Sequence, residues 1–200
     1  MFDNLKQKKI SKMEHNKIIF FKDKKKIMII PIGEWILKKD NLLKKINKKR
    51  YDNNNFFLTE ITKSIKKTKL YFKNIIKNKK TCLFVICSKK SCYDGIIGLN
   101  KSGKKLEIYF VLKLNKTPYM KISLKKMILW AKRKYNINEF IVRVLSNNLA
   151  AKKLYFKCGF KDYRNNFLKV RLLKGLKNHI TCKRKEANVK YKYQTLSLTL

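Results

Sequence analysis

Residues 139–160, Glu139-Phe-Ile-Val-Arg-Val-Leu-Ser-Asn-Asn-Leu-Ala-Ala-Lys-Lys-Leu-Tyr-Phe-Lys-Cys-Gly-Phe160, change their period part-way along. Phe140, Val142 and Val144 alternate with Ile141, Arg143 and Leu145, the two-residue repeat of a strand rich in β-branched side chains. Ser146, Asn147 and Asn148 then offer side-chain oxygens to the first free amides of a helix. Ala151, Leu154, Tyr155 and Cys158 recur at helical spacing, and Gly159 is placed to end the helix. The pattern predicts a strand that feeds directly into a short helix closed by Gly-Phe.

Working outward, Leu124, Met127, Ile128, Ala131 and Tyr135 mark the buried face of a helix over 121–135. Before it, strand signals follow one another at Thr81–Ser88, Asp94–Leu99 and Lys105–Leu112, and the turn residues Asn100-Lys101-Ser102-Gly103 predict that the last two form an antiparallel hairpin. A helix is expected from Thr62 to Lys77, one or two more between Glu34 and Asn47, and a first strand at Ile27–Ile32. Asn166–Leu173 reads as a last strand. Ile18-Ile19-Phe20-Phe21 reads as a short strand or an apolar surface anchor. The predicted order is β, α, α, β, β, β, α, β, α and a final strand, an α/β (α+β) chain.

The 200 residues suit one domain, and 44% hydrophobic content is enough to build a core. Charge is the unusual property: Lys+Arg 52 against Asp+Glu 12 gives +40. Arginine occurs only at 50, 133, 143, 164, 171 and 184, so the field comes from lysine point charges and not from bidentate guanidinium forks. Such a field attracts anions, from nucleic acid to phosphorylated small molecules. The lysines are spread along the whole chain rather than gathered in one tail, which an A/T-rich coding sequence would also produce.

Cysteines at 82, 87, 92, 158 and 182 are odd in number and fit no zinc spacing, which points to reduced thiols and no metal site. The two histidines, His15 and His179, have no nucleophile paired with them. No apolar run reaches the length of a membrane span, and Met1–Lys9 leads into no signal core; a cytoplasmic protein is expected.

Asn148, Ala151, Leu154-Tyr155 and Gly159-Phe160 together resemble the N-x-x-A-x-x-L-Y-x-x-x-G-F signature of the GNAT superfamily of acyl-CoA N-acyltransferases. Thr81-Cys-Leu-Phe-Val-Ile leading to Gly95-Ile-Ile-Gly-Leu is similar to the family's second and third strands, and Leu106–Val111 to its fourth. The likeness spans about residues 27 to 170. It implies a mixed, mostly antiparallel sheet that is splayed near its middle and flanked by helices, with acetyl-CoA lying in the split. The corresponding division is a basic arm at 1–26, the acetyltransferase domain at 27–173 and a basic extension at 174–200.

The resemblance also assigns roles. N-acetyl transfer needs a deprotonated amine, a positioned thioester and a proton donor for the departing thiolate. Glu107, mid-strand among apolar neighbours, matches the family's frequent base, and Tyr155 matches the acid. Asn148 falls where the family's signature Asn lies near the pantetheine arm or caps the helix, and Val111 is expected among the cofactor-binding residues. The loop for the CoA pyrophosphate falls on residues 115–120, where both family glycines are missing and Pro118 has no amide to donate. Thr117 is expected to cap the following helix with Pro118 at its first position, leaving the amides of Tyr119, Met120 and Lys121, with the charges of Lys116 and Lys121, to hold an anion.

The expected activity is acetyl transfer from acetyl-CoA to a primary amine. A small phosphorylated amino sugar suits a lysine-rich cleft; Phe56-Phe57 and the stretch Tyr71–Ile75 also resemble the amino-sugar-nucleotide and ribosomal-protein acetylase branches. The alternatives are acetylation of a protein N-terminus or lysine, and a catalytically silent GNAT fold whose lysines bind nucleic acid.

Overall fold

In the computed structural model, which describes residues 17–89 and 92–200, Cys82 to Cys87 are buried on both faces of one strand. Cys82, Phe84 and Ile86 point into one core, and Leu83, Val85 and Cys87 into another. A strand buried on both sides needs helices on both sides.

The strands are β1 (Ile18–Lys22), β2 (Lys25–Pro31), β3 (Thr81–Lys89), β4 (Cys92–Ser102), β5 (Lys105–Lys113), β6 (Glu139–Leu145), β7 (Lys161–Leu173), β8 (Leu176–Cys182) and β9 (Tyr193–Thr199). The helices are α1 (Asp40–Asp52), α2 (Ile65–Lys77), α3 (Tyr119–Tyr135) and α4 (Leu149–Phe156). Leu124, Met127, Ile128 and Ala131 of α3 and Tyr155 of α4 cover one face of the sheet. Leu42, Leu43 and Ile46 of α1 and Phe72 of α2 cover the other. Each such side chain, fully buried, contributes roughly 1.5–3 kcal/mol.

The sheet runs β1-β2-β3-β4-β5-β6-β9-β7-β8. Every pair is antiparallel except β5 with β6. The mixed, mostly antiparallel architecture is the one expected from the sequence. Helix ends differ in detail: α2 is capped by Ser64, whose hydroxyl accepts from the Lys67 amide, and not by Thr62.

The proposed boundaries at 26 and 173 are corrected. Ile18–Lys22 is a strand of the sheet, with Ile18 and Phe20 turned inward and Ile19 and Phe21 outward. Residues 1–16, where the rest of the expected arm and the Met1–Lys9 reading fall, lie outside the described residues. The residues expected as a basic extension build β8 and β9, and β9 lies inside the sheet between β6 and β7, pairing with β6 along its whole length. The first half of β7 pairs with β9 and the second half with β8. Lys174 and Gly175, both at positive φ, turn the β7–β8 hairpin tightly. That hairpin reaches back to the segment after α1, where the amides of Glu60 and His179 donate to the carbonyls of Lys177 and Leu58.

Candidate active site

Strands β5 and β6 pair only at Leu106–Phe140, Glu107–Ile141 and Ile108–Val142. Beyond that point they diverge, because β5 carries a bulge: Ile96 of β4 faces Leu112 while Gly98 faces Tyr109, so two residues of β5 oppose Ile97 alone. Phe110 occupies the bulge at φ 52, a conformation rare for a bulky side chain and costing on the order of 1–3 kcal/mol. Packing holds it there. Tyr71 stacks on its ring at 5.7 Å and the Arg50 guanidinium lies 5.1 Å from its centre.

The divergence opens a cavity of about 640 Å³. Its walls are the free half of β5, the end of β6, the starts of α3 and α4, Tyr193 of β9, and Phe56 to Leu58 after α1. Glu107, Val111, Met120, Lys121, Asn148 and Tyr155 all line it. The sequence-predicted residues are therefore gathered in one place, with two exceptions. Lys116 is exposed at the tip of its loop, off the cavity, and the Tyr119 side chain is buried in the core under α3.

The local reading of residues 139–160 corresponds closely to what forms. Asn148 caps α4, its side-chain oxygen accepting from the Ala151 amide at 3.1 Å. Gly159, at φ 97, closes the helix, with the Phe160 amide donating to the Tyr155 carbonyl. Tyr155 sits between these ends, 5% exposed, its ring edge-on to Phe160. Burial, then the neighbouring Cys158 and Tyr193, holds its hydroxyl well above the usual tyrosine range, so it keeps its proton at neutral pH.

Glu107 is buried as expected but has company. Asn100 donates to Oε2 at 3.3 Å, and Arg143 Nη1 stands 3.6 Å from Oε1. Tyr193 completes the group; burial and the adjacent Glu107 carboxylate push its hydroxyl up to about 12, against the pull of Arg143. Sequence reading missed Tyr193, which lies in the segment taken for an extension, and gave Arg143 no role.

At the other end of the split, α3 begins at Tyr119 with Pro118 as its cap residue and no side-chain cap, so Thr117 does not cap it. The first-turn amides are left as donors beside Thr117, Pro118 and Lys121 on the cavity wall. The preceding loop is pinned. Asn115 donates to the Tyr93 carbonyl at 3.0 Å and accepts from Lys45, while the Leu114 and Asn115 amides donate to the Asp94 carbonyl. Gly95 beside it has no room for a side chain, since a Cβ would fall 2.4 Å from Met120 Cε and 2.9 Å from the Leu112 carbonyl oxygen.

A split parallel pair, a bulge on one side of it and a buried, protonated tyrosine on the other agree with a sequence comparison: residues 40–161 match the family described as Acetyltransferase (GNAT) domain. The chain belongs to the GNAT acetyltransferase family. No curated protein matches it. Among solved structures it is similar to the spermidine N-acetyltransferase of Vibrio cholerae in complex with CoA and spermine, with 13% identity over 86% of this chain and 95% of that one and a TM-score of 0.61. It is also similar to RimL, the ribosomal L7/L12 α-N-protein acetyltransferase with coenzyme A, at 12% identity over 92% and 98% of the two chains and a TM-score of 0.64. A probable GNAT acetyltransferase of Chromobacterium violaceum gives 13% identity, coverage of 86% and 82%, and a TM-score of 0.65.

As a GNAT enzyme the protein is an acyl-CoA-dependent N-acetyltransferase using acetyl-CoA. The uncapped first-turn amides of α3, with Lys121, and the α4 residues Asn148 and Tyr155 border the same split. Among the described residues no group of three or more His, Cys, Asp or Glu is arranged to hold a metal ion, all five cysteines are free thiols, and no helix is long and apolar enough to cross a membrane.

Proposed function

We propose that the acceptor is a small primary amine carrying an anionic group, a phosphorylated amino sugar being the type that fits best. The charge of the cavity wall carries this reading. Among the described residues Glu107 is its only carboxylate, already paired with Arg143, whereas Lys113, Lys121 and Arg143 all line it. A polyamine, the substrate named for the Vibrio cholerae neighbour, brings several positive charges and would meet one carboxylate inside a chain of net charge +40.

Bound acetyl-CoA supplies the acyl thioester. Glu107, through water or directly, takes the proton that the acceptor ammonium must lose before its nitrogen attacks the carbonyl carbon. The β5 backbone beyond Ile108, released from β6, offers amides to the oxygen on which charge develops. Tyr155 gives its hydroxyl proton to the sulfur as the C–S bond breaks, and Asn148 fixes the start of the helix that carries it.

The test is a panel of acceptors at saturating acetyl-CoA, comparing kcat/KM for amino-sugar phosphates, their neutral parents, polyamines and peptides with free N-termini. Phosphorylated amines should lead. Polyamines or peptides leading by tenfold would overturn the reading.

A further inference from the structure

Arg50 is the buried charge that the chemistry above leaves unused. It lies on α1, 8% exposed, and no carboxylate among the described residues pairs with it. Its Nε is buried without a hydrogen-bond partner. Three rings surround the guanidinium: Tyr71 with its centroid at 4.5 Å, Phe110 at 5.1 Å and Phe57 at 5.8 Å. Aromatic faces offset part of the cost of burying a cation but leave its N–H donors unfilled. A buried cation without a counter-ion is costly, and burial accordingly lowers the affinity of this guanidinium for its proton.

Position gives the charge a use. Phe57 and Phe110 are themselves walls of the cavity, as is Asn53, which caps the end of α1 three residues after Arg50. Arg50 thus stands behind the Phe57 and Phe110 wall, on the α1 side of the cleft. Tyr71 beside it, its hydroxyl pushed up to about 12 by burial, keeps its proton and offers a second donor.

We propose that Arg50, with Tyr71, binds the anionic group of the acceptor, an oxyanion of phosphate or carboxylate that seats against Phe57 and Phe110 and supplies the missing counter-charge. This rests on the anionic-acceptor reading and adds the residue that enforces it. Seated there, the anion points the substrate's amine along β5 toward Glu107.

The experiment uses the full chain saturated with acetyl-CoA and compares an amino-sugar phosphate, the matching amino-sugar acid and their neutral parent, in wild type, Arg50→Lys and Arg50→Met. In wild type the anionic acceptors should be preferred, and in both variants that preference ratio should fall roughly ten- to hundredfold, the loss of one charge-assisted hydrogen bond or a pair. The larger loss, phosphate or carboxylate, identifies the group. A second readout is independent of turnover: the Arg50 Nε–H resonance should shift saturably on titration with inorganic phosphate or acetate. If the preference persists in Arg50→Lys and Arg50→Met, Arg50 only props the bulge at Phe110 and the proposal fails, while the anionic-acceptor reading stands. If wild type shows no preference, that reading fails, and Arg50 is judged by the titration alone: a saturable shift upholds an anion site, and none overturns it.

Discussion

Replacing Tyr155 by Phe separates the chemistry of α4 from its packing. The ring stays edge-on to Phe160 and buried beside Cys158, and the hydroxyl makes no hydrogen bond among the described residues, so its removal should change stability by less than about 0.5 kcal/mol. A positioned general acid contributes roughly 10²–10⁴ in rate. At about 1.36 kcal/mol per tenfold, the loss of turnover corresponds to about 2.7–5.4 kcal/mol, several times any structural effect. The proton has a pH signature as well. A hydroxyl raised above its ordinary value of 10.0 remains a donor below that pH, and activity declines as pH rises through the shifted value. The assay is thiol release with a preferred acceptor from pH 6 to 11, together with acetyl-CoA affinity and urea melts. Expected are a fall in kcat, an unchanged acetyl-CoA affinity and an unchanged melt, with wild-type activity persisting through pH 10, where an ordinary tyrosine would already be losing its proton. Turnover within twofold of wild type would remove Tyr155 as the acid.

Three further outcomes follow from particular contacts. Glu107→Gln keeps a side chain able to bond Asn100 but cannot accept the ammonium proton, so kcat should drop by about 10² or more; turnover within about threefold of wild type would refute the assignment. Gly95→Ala forces a methyl against Met120 and the Leu112 carbonyl, which should cost about 1–3 kcal/mol in urea melts and raise KM for acetyl-CoA as the start of α3 shifts; equal stability and KM would contradict the packing. Tyr71 and Tyr193, both raised from 10.0 to about 12 chiefly by burial, stabilise the fold fully below pH 10 and lose that contribution as pH climbs toward 12. Urea midpoints should therefore fall over that window, and fall less in Tyr71→Phe; parallel curves would count against it.

Residues 139–160 could be read from the chain alone because their information is local. The cap, the helical stripe and the closing glycine all fall within one βα unit, and Asn148, Tyr155 and Gly159 do there what their residue types favour. Glu107 was likewise visible as an acid in an apolar strand. Its partner was not, because only the register of β5 on β6 brings Arg143 alongside it. The bulge had no signature, since nothing in the sequence marks Phe110 for a positive φ; the rings of α2 and the charge of Arg50 impose it from a distance. The glycine-poor loop before α3 gave no view of Asn115, which is tied down by Lys45 and β4. Lys116 was chosen by proximity in sequence, and at a loop tip one residue decides between cleft and solvent. In β9, Leu196 and Leu198 alternate with Ser197 and Thr199 as a strand should, but the pattern is short and follows a lysine-rich stretch.

The place of β9 also bears on how the protein is made. Synthesis delivers β1 to β5 with α1 and α2 first, and these can associate as they emerge. Strand β6 follows with one edge bare, and α4, β7 and β8 must all leave the ribosome before the strand that covers it arrives. During that interval an apolar β-edge is open to neighbouring nascent chains.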